Sequence, residues 1–193
     1  PGEAFKSLSV RFRLEPDERE AWPKLLQLAN ASGKEGELAE LWRVAISSDS
    51  AQGHPGTTAS LNHLRIALAR FVRLQFGEFE EPLDLLEDVL RDADSPGDYP
   101  ELLEELEALH SARQDPEALV RVLLASSRAV LDSTERREKV LEACGLLRAE
   151  LARPEDALGH YHVLYADDPN EPSVAEAIED TYTHLEQWTE LAD

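Results

Sequence analysis

The sequence predicts an all-α protein built from antiparallel helix pairs. Three observations predict it. Apolar residues recur at steps of three and four through most of the 193 residues, as one face of a helix requires. No stretch alternates apolar and polar residues for long, and β-branched residues are few, so no strand is signalled. Residues 1–40 also match residues 154–193 without a gap, with identities at Pro1/Pro154, Ala4/Ala157, Val10/Val163, Pro16/Pro169, Glu18/Glu171, Glu37/Glu190, Leu38/Leu191 and Ala39/Ala192. An internal repeat of this kind outranks any local reading.

The elements follow in order. Residues 1–16 read as the second helix of a pair, with Leu8 and Phe12 on the face that Tyr161 and Tyr165 occupy in the matching segment. A helix is expected from about Asp17 to Ser32. Asp17 and Glu20 form a capping box, Trp22, Leu25, Leu26 and Leu28 supply the apolar face, and Gly33 ends it. Leu38, Leu41, Trp42, Ala45 and Ile46 mark a helix over 35–48. Residues 47–60 are rich in Ser, Gly, Pro and Thr and read as a loop insertion, the one long interruption. Leu61, Leu64, Leu68, Phe71, Val72 and Leu74 then mark a strongly apolar helix over 60–76, which Gly77 breaks. Its partner over 80–93 carries Leu83, Leu86, Val89 and Leu90, and residues 95–100 form a turn. The next pair spans 101–113 and about 116–131, the second started by Asp115-Pro116, where Asp caps and Pro fits the first turn. A final first-helix runs over 172–186 with Val174, Ala177, Ile178 and Leu185, and residues 188–193 start one more helix.

The stretch from Glu138 to Pro169 is the most informative. Leu141, Cys144, Gly145 and Arg148 share one helical face, and Ala157, Tyr161, Leu164 and Tyr165 share another after a break at Arg153-Pro154. Gly145, Ala157 and Pro169 are spaced evenly, and helices cross closely only where side chains are small. This pattern resembles the tetratricopeptide repeat (TPR), with one departure: Arg148 stands where the family has an aromatic. Aligning the second helices on Ala4, Leu38, Leu83, Ala118, Ala157 and Leu191 gives steps of 34, 45, 35, 39 and 34, of which two equal the family's usual repeat. The resemblance implies a right-handed solenoid of antiparallel helix pairs, a TPR-like superhelix, over 1–193 as a single domain. Residues 1–16 and 187–193 would be incomplete repeats of a longer array. Phe5, Leu8, Phe12 and Trp188 would then be exposed at the ends, where copies of the chain could self-associate. The family's concave groove is lined by the first helix of each pair. That places Glu20, Gln27, Asn30, Glu142, Leu146, Glu150, Glu176, Asp180 and Thr183 as partner-binding candidates. The Lys/Asn clamp that some members use for a partner's terminal carboxylate is not at the matching positions.

Charge excludes several function classes. The formal net charge is −21, with only four lysines against fifteen arginines. Nucleic acid and anionic membrane surfaces both need clustered cations, so neither is an expected partner. No apolar run approaches the roughly 20 residues that span a bilayer. The scarcity of lysine beside arginine suggests a high-GC bacterial genome, and the expected location is the cytoplasm. Cys144, the single cysteine, sits on an apolar face and reads as a packed core thiol. Glu107-Ala-Leu-His110 is one Glu-x-x-His motif, but a di-iron bundle needs two. His160 and His162 are two apart and so point in different directions on a helix. No HExxH, phosphate-binding glycine loop or nucleophile elbow occurs, so no catalytic residue, metal site or cofactor is expected and the chain is not expected to be an enzyme.

The acids are unevenly distributed. Residues 77–107 hold thirteen acids and one base, Arg91, and residues 154–193 hold eleven acids and no Lys or Arg. Glu80, Asp84 and Asp88 share one side of a helix, as do Glu101 and Glu105. Such a face is either a solvated surface that keeps a repeat array soluble or a docking surface for a basic partner segment. The expected function is a non-catalytic interaction module that binds a protein or peptide. The alternative is a helical regulatory or substrate-holding domain of a larger enzyme.

Overall fold

The computed structural model describes residues 1–16, 18–50, 58–93 and 96–185. Among these there are ten α-helices and two short 3-10 turns, and no strand. The helices are α1 (Gly2–Leu14), α2 (Trp22–Ser32), α3 (Glu35–Ser50), α4 (Thr58–Phe76), α5 (Glu80–Asp92), α6 (Pro100–Arg113), α7 (Pro116–Ala129), α8 (Ser133–Ala149), α9 (Pro154–Asp167) and α10 (Pro172–His184). Where the link is two to four residues, as between α2 and α3, α4 and α5, α6 and α7, and α8 and α9, the helices fold back on each other as antiparallel neighbours. Contacts divide the chain into two units, Pro1–Asp94 and Ser95–Asp193.

Local chemistry accounts for most boundaries. Gly33 and Gly77 close α2 and α4 with φ of 65° and 68°, the left-handed region that glycine enters without a Cβ penalty. Asp115 and Asp132 cap α7 and α8 by accepting from the backbone N–H groups of Ala118 (3.1 Å) and Glu135 (2.9 Å). Proline opens α6, α7, α9 and α10, where its missing N–H costs nothing.

The first unit packs α1 to α5 around Phe5, Phe12, Trp22, Leu25, Leu38, Trp42, Leu68 and Val72. The indole N–H of Trp22 donates to the carbonyl of Pro16 at 3.1 Å and fastens the link between α1 and α2. In the second unit, α7 to α10 close over Leu123, Val140, Cys144, Leu147, Ala157, Tyr161 and Val174. α6 adds Leu102, Leu106 and Leu109, each fully buried.

Several expectations change. The loop read over 47–60 is narrower, because α3 continues to Ser50 and α4 begins at Thr58; residues 51–57 lie outside the described residues. Glu20 sits in a 3-10 turn, Arg19–Ala21, rather than in the first turn of α2, and its supposed capping partner Asp17 lies outside the described residues. Phe5 and Phe12 are not exposed: both are 2% accessible, because α1 lays that face on its neighbours in the first core. The exposed apolar residues of α1 are Val10 and Leu14 instead. Trp188 lies outside the described residues.

Gly145 also differs from its expected role. It is exposed, and a Cβ added there would meet nothing within 4 Å, so it does not mark a close helix crossing. Ala157, fully buried between α8 and its own helix, does. Since Gly145 sits in open space inside α8, Gly145→Ala should raise stability by about 0.5–1 kcal/mol through helix propensity. Urea unfolding of the two proteins checks this.

Candidate interaction surfaces

The acidic candidates of the first unit lie on α5. Its buried stripe is Pro82, Leu86 and Val89, and Glu80 and Asp84 are exposed on the other side. Asp88 is half-buried and accepts from Arg91 at 2.9 Å. Next to this face, Arg43 of α3 grips Glu81 with two hydrogen bonds of 2.6 and 2.7 Å. That contact, with Glu40 and Glu78 nearby, raises the Arg43 pKa further and keeps it charged. Arg65 similarly holds Asp92 at 2.7 Å.

In the second unit Glu101 is exposed at the start of α6, but Glu105 is buried and does not belong to an acidic surface. The i, i+4 spacing put both acids on one side of the helix. It could not reveal that α6 is covered on more than one side, with Leu102, Leu103, Leu106, Leu109 and His110 all buried around Glu105. Glu107 accepts from Lys139 at 2.9 and 3.0 Å and from the Ser126 hydroxyl, so it joins α6, α7 and α8. Its partner in the Glu-x-x-His motif, His110, is buried, and among the described residues no cluster of His, Cys, Asp or Glu could hold a metal ion.

The groove candidates fall in both units. Glu20, Gln27 and Asn30 are exposed in the first, and Gln27 accepts from Lys24 at 3.1 Å. In the second, Glu142 and Glu150 are exposed at α8, and Glu176, Asp180 and Thr183 on α10. Leu146 is half-buried and packs against the core of the second unit. Sequence reasoning missed a polar cluster here. The Arg148 charge opposes the upward shift that burial causes at Cys144 and Tyr161, and the Asp180 charge adds to it at Tyr161. His162 pairs with Tyr182 across α9 and α10 at 2.9 Å.

Burial pushes the Cys144 thiol up to about 12, with Arg148 opposing weakly, and burial raises Tyr161 in the same direction. The thiolate is the reactive form, so Cys144 should resist iodoacetamide at pH 8 until the protein unfolds. The folded state holds both protons more tightly than the unfolded chain. The contribution is therefore complete below the ordinary thiol value of 9.0 and is lost as pH rises from there toward about 12. Cys144→Ala should flatten the alkaline limb of a pH–stability curve measured by urea unfolding.

Two open clefts of about 680 Å³ each lie on the second helices of the pairs. One runs between α1 and α3 over Phe5, Val10, Leu41 and Val44. The other runs between α7 and α9 over Val120, Leu124 and Val163. Val10 and Val163, identical in the internal match, are 59% and 63% accessible and line one cleft each.

No family model matches the chain, and no curated protein does. Solved structures resemble its backbone. YrrB, described as a TPR protein with an unusual peptide-binding site, is 16% identical with a TM-score of 0.49, over 93% of this chain and 84% of that one. A chain of the APC/C hetero-tetramer Cut9–Hcn1 is 15% identical with a TM-score of 0.43, over 95% of this chain and 33% of that one. A mutant of MamA is 19% identical with a TM-score of 0.42, over 81% of this chain and 92% of that one. At these values the likeness is one of backbone alone. Among the described residues no helix is long and apolar enough to cross a membrane.

Proposed function

We propose that this chain is a non-catalytic docking module for a protein or peptide that presents a Lys- or Arg-rich segment. The observation that carries this reading is the face of α5. Glu80 and Asp84 stay exposed opposite the buried stripe, inside a stretch of thirteen acids and one base. Like charges four apart on a helix oppose each other by about 0.2–0.5 kcal/mol per pair. A cationic partner would relieve that repulsion and be drawn in by the field. Glu142, Glu150, Glu176 and Asp180 extend the same preference to the second unit, where the first helices of the pairs would form the family's groove. The ungapped match of 1–40 with 154–193 supports reading the two ends of the chain as repeats of one type, and a cytoplasmic location fits an adaptor of this kind.

The test is crosslinking in native lysate with the wild type and a triple variant, Glu80→Lys, Asp84→Lys and Asp88→Lys. The wild type should capture proteins through basic segments, and the variant should lose them while circular dichroism stays unchanged. Retention of the same captured segments by the variant would leave the acids as solubilising residues only.

A further inference from the structure

We infer that the cleft between α1 and α3 is a docking groove for a partner helix whose apolar stripe carries acids along one edge and bases along the other. This is a second surface of the first unit and does not rest on the acidic face of α5. The cleft holds about 680 Å³ and is open to solvent. Both helices line it with the same spacing: positions 5, 6, 9, 10 and 13 of α1, and 36, 37, 40, 41 and 44 of α3. That spacing keeps to one side of a helix. Each wall is therefore one helix side running about 12 Å, a little over two turns. Phe5 and Leu41 are buried parts of the lining, while Val10 and Val44 are 59% and 52% accessible. A trough with apolar residues at helical spacing on both sides receives the apolar stripe of an amphipathic helix. It is too open to enclose a small ligand.

Charge selects which helix. α1 contributes Lys6 and Arg13 to its wall, and α3 contributes Glu37 and Glu40 to the other, all four exposed. Their existing partners decide how much of this charge is available. Among the described residues Arg13 makes no ion pair. Lys6 pairs at 3.2 Å with Glu3, which is itself 92% accessible, so water screens that pair. Glu37 is held by Lys34 at 2.6 and 2.7 Å. Glu40 meets Arg43 only at 3.6 Å, and Arg43 is committed to Glu81. Arg13 and Glu40 therefore set the signs of the two walls. A uniformly basic helix would press its cations on Lys6 and Arg13, and a uniformly acidic one would press its carboxylates on Glu37 and Glu40. A helix with one acidic and one basic edge answers both walls. The cleft between α7 and α9 is not divided in this way. There Arg153 reaches Glu117 of α7 at 3.8 Å and Asp156 of α9 at 2.6 Å, so the chain's own ion pairs already join its walls.

The probes are three fluorescent helical peptides with the same leucine stripe, stapled because short free helices are marginal in water. One carries glutamate along one edge and lysine along the other, one carries lysine along both, and one carries glutamate along both. The wild type should bind the mixed peptide about tenfold more tightly than either uniform one. Its net charge of −21 alone would favour the lysine peptide. Val10→Gln with Val44→Gln alters only exposed apolar groups and should erase the preference. Arg13→Glu makes both walls acidic and should turn the lysine peptide into the tightest of the three, an exchange that a loss of folding cannot produce. Val163→Ser, in the cleft of the second unit, should leave the preference intact. Circular dichroism verifies that each variant is folded. Equal binding of the three peptides by the wild type, a wild-type preference for a uniform peptide, or a preference that survives Val10→Gln with Val44→Gln overturns the groove. A wild-type dimer in analytical ultracentrifugation that Val10→Gln with Val44→Gln dissolves would overturn the proposed occupant, since the cleft would then belong to a second copy of this chain.

Discussion

Trp42→Ala is expected to destabilise the first unit by about 3–5 kcal/mol, the usual cost of emptying a large aromatic site. Trp42 is fully buried and touches the rings of Trp22 and Phe71, so its loss removes the centre of that cluster. Domains of this size are typically stable by only about 5–15 kcal/mol, so the urea midpoint should fall steeply. Amide exchange should accelerate within residues 1–94 above all. Trp42→Phe should cost much less. It keeps most of the ring, and it removes an indole N–H that is buried without an acceptor. A midpoint for Trp42→Ala within error of the wild type would mean that the ring is not in the core.

Lys139→Met should cost the second unit about 2 kcal/mol, below the range for a fully buried pair because both side chains keep some solvent contact. Their accessibilities are 18% for Lys139 and 21% for Glu107. The cost comes mainly from Glu107, which would retain its charge between three helices with only the Ser126 hydroxyl answering it. Adding Glu107→Gln to Lys139→Met should therefore recover part of the loss. A double-mutant cycle by urea unfolding reads this as a coupling between the two sites. Independent, additive costs would contradict the bridging role.

The fold was largely legible because its signals are local. Gly33, Gly77 and Asp115 act within one turn of themselves, and the spacing of Leu86 and Val89 fixes which side of α5 is buried. What stayed hidden depends on neighbours distant in the chain. Glu105 has the same spacing as Glu101 but lies under more of the surrounding structure. Phe5 and Phe12 looked like an uncovered end, yet α1 folds onto the core with that face inward. Gly145 matches a family position at which a small residue suggests a close crossing, and here it meets nothing. Arg148 departed visibly from the repeat pattern, but only the fold puts its charge where it acts on Tyr161 and Cys144. For the interaction surface, the sequence shows an excess of acids. It does not show that Arg43, Arg65 and Lys139 already hold Glu81, Asp92 and Glu107, which reduces the available charge to a smaller set of residues.

The central claim is that exposed acids of α5 capture a cationic segment. It is tested most directly by stopped-flow association of a fluorescent polylysine peptide with the wild type and with the Glu80→Lys, Asp84→Lys, Asp88→Lys variant, at low and high salt. Exposed charges act over only about 8 Å at physiological ionic strength, and they influence association rate more than dissociation. The wild type should associate fast at low salt and slow down as salt rises. The variant should be slow at both, with the two proteins converging at high salt. Equal rates for the two proteins at low salt would contradict the claim.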